Sequence, residues 1–89
     1  MASERTITIK NKLGIHVRPA AQIAELANKY NANIVFTRDN LSANAKSIVE
    51  LLTLGAVWQS SLTIKAEGPD AESALTALTQ LIEGKFGEE

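Results

Sequence analysis

Eighty-nine residues and 9.6 kDa, with nine Lys and Arg against ten Asp and Glu, describe one domain, 1–89, with one small core. A formal charge of −1 supplies no global positive field toward nucleic acid or anionic lipid. With no Cys there is no disulfide frame, no thiolate zinc site and no nucleophilic thiol, a usage that suits the cytoplasm. The opening MASERTITIK has no apolar run behind its charges and does not read as a signal peptide. No stretch approaches the roughly 18 apolar residues of a membrane helix.

Residues 5–10, RTITIK, alternate Ile7 and Ile9 with polar neighbours, the pattern of a half-buried strand. NKLGIH is a loop, and Pro19 suits the first turn of a helix, where its missing N–H costs nothing. Ala20, Ile23, Ala27 and Tyr30 carry helical spacing over about three turns. Residues 32–38 form a second strand, Asp39-Asn40 a turn, and Leu41 to Asn44 a candidate short strand paired back by it.

Ser47 and Glu50 have capping-box spacing, with the two side chains expected to satisfy backbone N–H groups reciprocally. The two-turn helix that follows stops at Gly55. Residues 60–67 alternate again. The last helix opens at Gly68-Pro69-Asp70, carries Ala71, Ala74, Leu75, Leu78 and Ile82 on one stripe, and ends at Gly84. KFGEE reads as a frayed tail, and Trp58 as core packing or a loop anchor. The order β-α-β-β-α-β-α, with helices on a single face, predicts an open two-layer sandwich.

The chemistry concentrates at Gly14-Ile15-His16-Val17-Arg18-Pro19. Helix starts leave N–H groups unpaired and carry partial positive charge, so they attract anions. Arg18 adds a guanidinium whose fork suits phosphate oxygens. An imidazole with the ordinary pKa of about 6.5 has a free lone pair near neutral pH. Together these fit reversible phosphorylation of His16. The bonds of phosphorus to imidazole nitrogen are labile, which suits onward transfer rather than storage. On spacing alone, the default for a lone loop His beside Pro is a solvated or capping residue. With no second His, a metal site would be carboxylate-dominated, and none is expected.

For Ser47, spacing favours a plain N-cap over a regulatory phosphorylation site, since Glu50 would oppose a phosphate there. On a helical wheel Leu51 and Leu54 share one side, and Ile48, Val49 and Leu52 another. A two-turn helix on a sheet buries one stripe. Either the second stripe is an exposed docking patch, or the whole helix is sunk into the core.

LGIHVRPA (Leu13–Ala20) and NAKSIVELLTLGA (Asn44–Ala56) resemble the two signatures of HPr, the histidine-containing phosphocarriers of the bacterial phosphotransferase system. The resemblance covers essentially the whole chain. It implies an α+β open-faced sandwich, with a four-stranded antiparallel sheet covered on one face by three helices. It implies that His16 takes a phosphoryl group on Nδ1 from phosphorylated enzyme I and passes it to IIA-type acceptors, with Arg18 as phosphate partner. It makes Ser47 the site of an HPr kinase/phosphorylase and of control through a transcriptional regulator. It places Val17, Ala20, Ile48, Val49 and Leu52 in the docking surface. No cofactor, nucleic acid or membrane insertion is implied, and a cytoplasmic monomer is expected.

Two departures stand out. Val17 is bulkier than the commoner Ala or Thr, and Glu50 brings negative charge to the docking face. The ending GEE resembles the nitrogen-branch paralogue, while His16 argues against the catabolite-repression paralogue, which lacks it. Two rivals remain: a regulatory paralogue acting through phosphorylated Ser47, and a small-molecule-binding module with an enclosed apolar pocket.

Overall fold

The computed structural model describes residues 2–88. Its elements run β1 (Ala2–Thr8), α1 (Val17–Ala27), β2 (Asn33–Arg38), β3 (Leu41–Asn44), α2 (Ile48–Thr53), β4 (Ser61–Glu67) and α3 (Ala71–Glu83), closed by a 3-10 turn at Lys85–Gly87. The four strands form one antiparallel sheet in the order β1-β4-β2-β3. The expected architecture is present, with α1, α2 and α3 packed over the buried face of the sheet.

Register explains which face is covered. Ile7 lies opposite Leu62, Phe36 opposite Ile64 and Ala43, and Ile34 opposite Ala66. All of these are buried. Side chains alternate along a strand, so their neighbours face away from the helices. Thr6 and Thr63 pair there, with their hydroxyl oxygens 3.1 Å apart. The helices supply the other wall: Ala20, Ile23, Ala24 and Ala27 from α1, and Ala74, Leu75, Leu78 and Ile82 from α3. Each fully buried Leu, Ile or Phe contributes about 1.5–3 kcal/mol of transfer free energy.

The boundaries differ from the sequence expectation in instructive ways. β1 begins at Ala2 rather than Arg5, because an edge strand needs only backbone pairing to β4 and its first residues are largely exposed. Ile9 lies past the strand but stays fully buried, its N–H donating to Ser60 O at 2.9 Å. α1 starts at Val17, three residues before the apolar stripe, and ends at Ala27, so Tyr30 packs on the core from the turn beyond the helix. Ser47 caps α2 as expected, accepting from Glu50 N–H at 3.2 Å. The reciprocal half of the box is absent: Glu50 Oε1 accepts instead from Asn44 N–H at 2.9 Å, and Ser47 N–H donates to Asn44 O.

Of the two places expected for Trp58, the core is ruled out: the side chain is half-exposed, in the turn before β4. The expectation of a frayed tail is corrected. The C-terminal tail is folded through Glu88, because Phe86 is only 2% exposed and belongs to the core; Glu89 lies outside the described residues. Among the described residues, no helix is long and apolar enough to cross a membrane.

Candidate functional site

His16 is the N-cap of α1, in extended backbone, and its carbonyl accepts the first helical bond from Ala20 N–H at 2.9 Å. Its ring makes no capping bond to the helix amides. The N–H groups of Val17 and Arg18 therefore open the helix without an intrahelical acceptor, and Pro19 has no N–H to offer. The amides and the positive end of an 11-residue helix thus converge at the residue that carries the imidazole.

The loop before His16 is held rigidly. Asn11 is fully buried, and its Nδ2 donates to Gly14 O at 2.7 Å while Gly14 N–H returns a bond to Asn11 O at 3.1 Å. Ile15 is buried, and its N–H donates to Ala56 O at 3.0 Å, tying the loop to the segment just after α2. His16 therefore stands between a pinned turn and a helix, with its side chain 37% exposed.

One ring nitrogen is occupied. Nε2 lies 2.9 Å from Glu88 Oε2, and the other oxygen, Oε1, accepts from Asn11 Nδ2 at 3.1 Å. Among the described residues Nδ1 has no hydrogen-bond partner. The tail reaches this point by an unusual path. Lys85 and Phe86 both have left-handed backbone, with φ of 57° and 58°. Such conformations cost about 1 kcal/mol or more per non-glycine residue. The burial of Phe86 and the bond from Glu88 N–H to Lys85 O at 2.8 Å offset that cost.

Arg18 is exposed, and among the described residues the carboxylates that meet a basic side chain are Glu88, at His16, and Asp39, at Arg38. Its guanidinium is therefore uncommitted to any carboxylate. His16, Arg18, Glu88, Lys12 and Leu13 line one shallow depression of about 350 Å³. A second depression, of about 400 Å³, lies on the open face of the sheet and shares no residue with it. The arrangement offers a nucleophilic nitrogen, two free amides and two cations around a space that can admit a phosphoryl group. Among the described residues no cluster of three His, Asp or Glu could hold a metal.

The other candidates named from the sequence separate cleanly by burial. Val17, Ile48, Val49 and Leu52 are exposed, Val49 at 71%, while Leu51 and Leu54 are buried. The helix α2 thus buries one stripe and presents the other. Ala20 is the exception among the expected docking residues: it is fully buried on the core side of α1 and has no surface to present. Ser47 is partly buried, its Oγ engaged by Glu50 N–H. Asn11 and Glu88 were not singled out by the sequence. A lone Asn in a loop and a Glu in a polar tail, 72 positions from His16, carry no pattern that marks them.

Comparison with known proteins gives the same reading. The family model described as "PTS HPr component phosphorylation site" matches residues 3–84. The chain is 39% identical over 85 residues to the phosphocarrier protein HPr of Treponema pallidum, covering 96% of this chain and 97% of that protein. It is also 39% identical to the phosphocarrier protein NPr of Shewanella violacea, over 96% of this chain and 93% of that one. The crystal structure of HPr-C-His from Thermoanaerobacter tengcongensis superposes with a TM-score of 0.94 at 47% identity, covering 98% of both chains. A His at an anion-attracting helix start, on an open-faced sandwich matched across its length, places the chain in the HPr family, the phosphocarrier proteins of the phosphotransferase system.

Proposed function

We propose that His16 is the phosphoryl acceptor, charged on Nδ1 by phosphorylated enzyme I and discharged to IIA-type domains. The single observation that carries this is the placement of a partly exposed imidazole, Nδ1 unpartnered, at the first free amides of α1 beside an uncommitted Arg18. The Nδ1 lone pair forms a bond to phosphorus as the donor's bond to phosphorus breaks and its electron pair leaves with the donor. The transferred group keeps its negative oxygens, which the Val17 and Arg18 amides and the Arg18 guanidinium stabilise. The phosphoryl group leaves again when an acceptor's nucleophile bonds to phosphorus and the Nδ1–phosphorus bonding pair returns to the ring. The whole chain works as one domain, a monomer in the cytoplasm, and it is a carrier consumed and regenerated by its partners rather than an enzyme acting on free substrate.

Docking rests on Val17, Ile48, Val49 and Leu52, whose exposure supports the reading. Encounters of this kind use small interfaces, at or below the low end of the standard size, so partners can exchange quickly. The test is charging with enzyme I and phosphoenolpyruvate. The wild type gains acid-labile phosphate and His16→Ala gains none while keeping its fold. Undiminished labile phosphate on His16→Ala overturns the assignment.

Regulatory phosphorylation of Ser47 by an HPr kinase/phosphorylase, read out by a transcriptional regulator, is the second reading. The observation in its favour is that the Glu50 carboxylate, which would repel a phosphate, is held by Asn44 N–H rather than by the Ser47 amide. An acid-stable gain of one phosphate that Ser47→Ala abolishes supports it, and no product removes it.

A further inference from the structure

We infer that Glu88 is a positioning residue for phosphoryl transfer: the folded tail fixes the His16 ring from behind, keeping Nδ1 as the free nucleophile. This role rests on His16 being the acceptor. An ionised carboxylate can only accept hydrogen bonds, so at 2.9 Å from Oε2 the Nε2 atom must carry the proton. In the neutral ring the lone pair then belongs to Nδ1.

Three features show that this contact is built. Both carboxylate oxygens are used, Oε2 by His16 and Oε1 by Asn11 Nδ2. The Asn11 amide is assigned by its network: its nitrogen faces two acceptors, Gly14 O and Glu88 Oε1, that its oxygen would repel, while Oδ1 is buried without a partner. The Glu88 side chain is only 13% exposed, and the chain adopts two consecutive left-handed residues to deliver it, with Phe86 buried as the anchor. A tail that merely ended the last helix would need none of this.

The chemical consequence concerns charge on the ring. When Nδ1 bonds to phosphorus, the imidazole, already protonated at Nε2, becomes cationic. A carboxylate hydrogen-bonded to Nε2–H stabilises that cation, as the buried Asp does behind the His of a serine-protease triad. When the phosphoryl group departs, the Nδ1–phosphorus bonding pair returns to the ring and the Nε2 proton stays where it was. No proton enters or leaves in either direction.

The test compares wild type, Glu88→Gln and Glu88→Ala in steady-state charging by phosphorylated enzyme I, with the Nε2 proton followed by NMR of ¹⁵N-labelled protein. Glu88→Ala is expected to lose a hydrogen-bonded Nε2–H resonance and about tenfold in kcat at an unchanged KM, the low end of what an orienting group supplies. Glu88→Gln, which keeps an acceptor, falls between it and wild type. Both variants within twofold of wild type in kcat, or a loss confined to KM, overturns the inference. In that case charging of the wild type and its loss in His16→Ala still stand, so failure of the tail's role is distinguishable from failure of the carrier assignment.

Discussion

Gly14 lies so close against Ala56 that a Cβ added to it would stand 2.5 Å from the Ala56 carbonyl oxygen. That same oxygen accepts the N–H of Ile15 at 3.0 Å, and the φ of Gly14 is +68°. Both the left-handed backbone and the close approach demand glycine here. The contact sets the distance between the His16 loop and the end of α2, the two segments that carry the proposed acceptor and docking residues.

Gly14→Ala should therefore destabilise the fold by about 2–4 kcal/mol, combining left-handed strain with a forced backbone shift. Denaturant unfolding measures this as a fall in midpoint. The charging rate falls with it, because Ile15 can no longer hold the Ala56 oxygen in place.

Ser47→Ala removes the one side-chain cap of α2 and should cost about 1 kcal/mol. Charging of His16 is expected to be unchanged, since the two sites share no hydrogen bond. A loss of charging without a loss of stability would mean that Ser47 does something other than cap the helix.

Phe86→Ala tests the folded tail. A truly frayed terminus would tolerate the change, but a ring only 2% exposed should cost about 3 kcal/mol when truncated. Equilibrium unfolding reads the difference directly.

Val49→Asp addresses the exposed stripe of α2. At 71% exposure the substitution should leave stability within about 0.5 kcal/mol. It should raise the KM for enzyme I roughly tenfold, by placing a charge where an apolar contact is desolvated. An unchanged KM would remove Val49 from the docking surface.

Much of this was legible in the sequence because it depends on local chemistry. The alternation of Leu62, Ile64 and Ala66 marks a buried strand face, Gly55 with φ +68° follows the Leu54 cap of α2, and His16 to Pro19 announce a helix start with an anion site. The limits are equally physical. Val17 and Arg18 are helical yet exposed, so the apolar period cannot show where α1 begins. Ala20 fits the motif, but only packing reveals that its methyl points inward. Glu50 has the right spacing for a capping box, and its long side chain found the Asn44 N–H instead. The Asn11–Glu88–His16 contact joins residues from the two ends of the chain, two positions beyond the point where Phe86 packs into the core.

Phosphorus NMR of the protein incubated with enzyme I and phosphoenolpyruvate bears most directly on the central assignment. A phosphoramidate signal from an Nδ1-linked imidazole is expected in the wild type, and no such signal in His16→Ala. Phosphate that appears on another residue, or a signal of equal strength in His16→Ala, would contradict it.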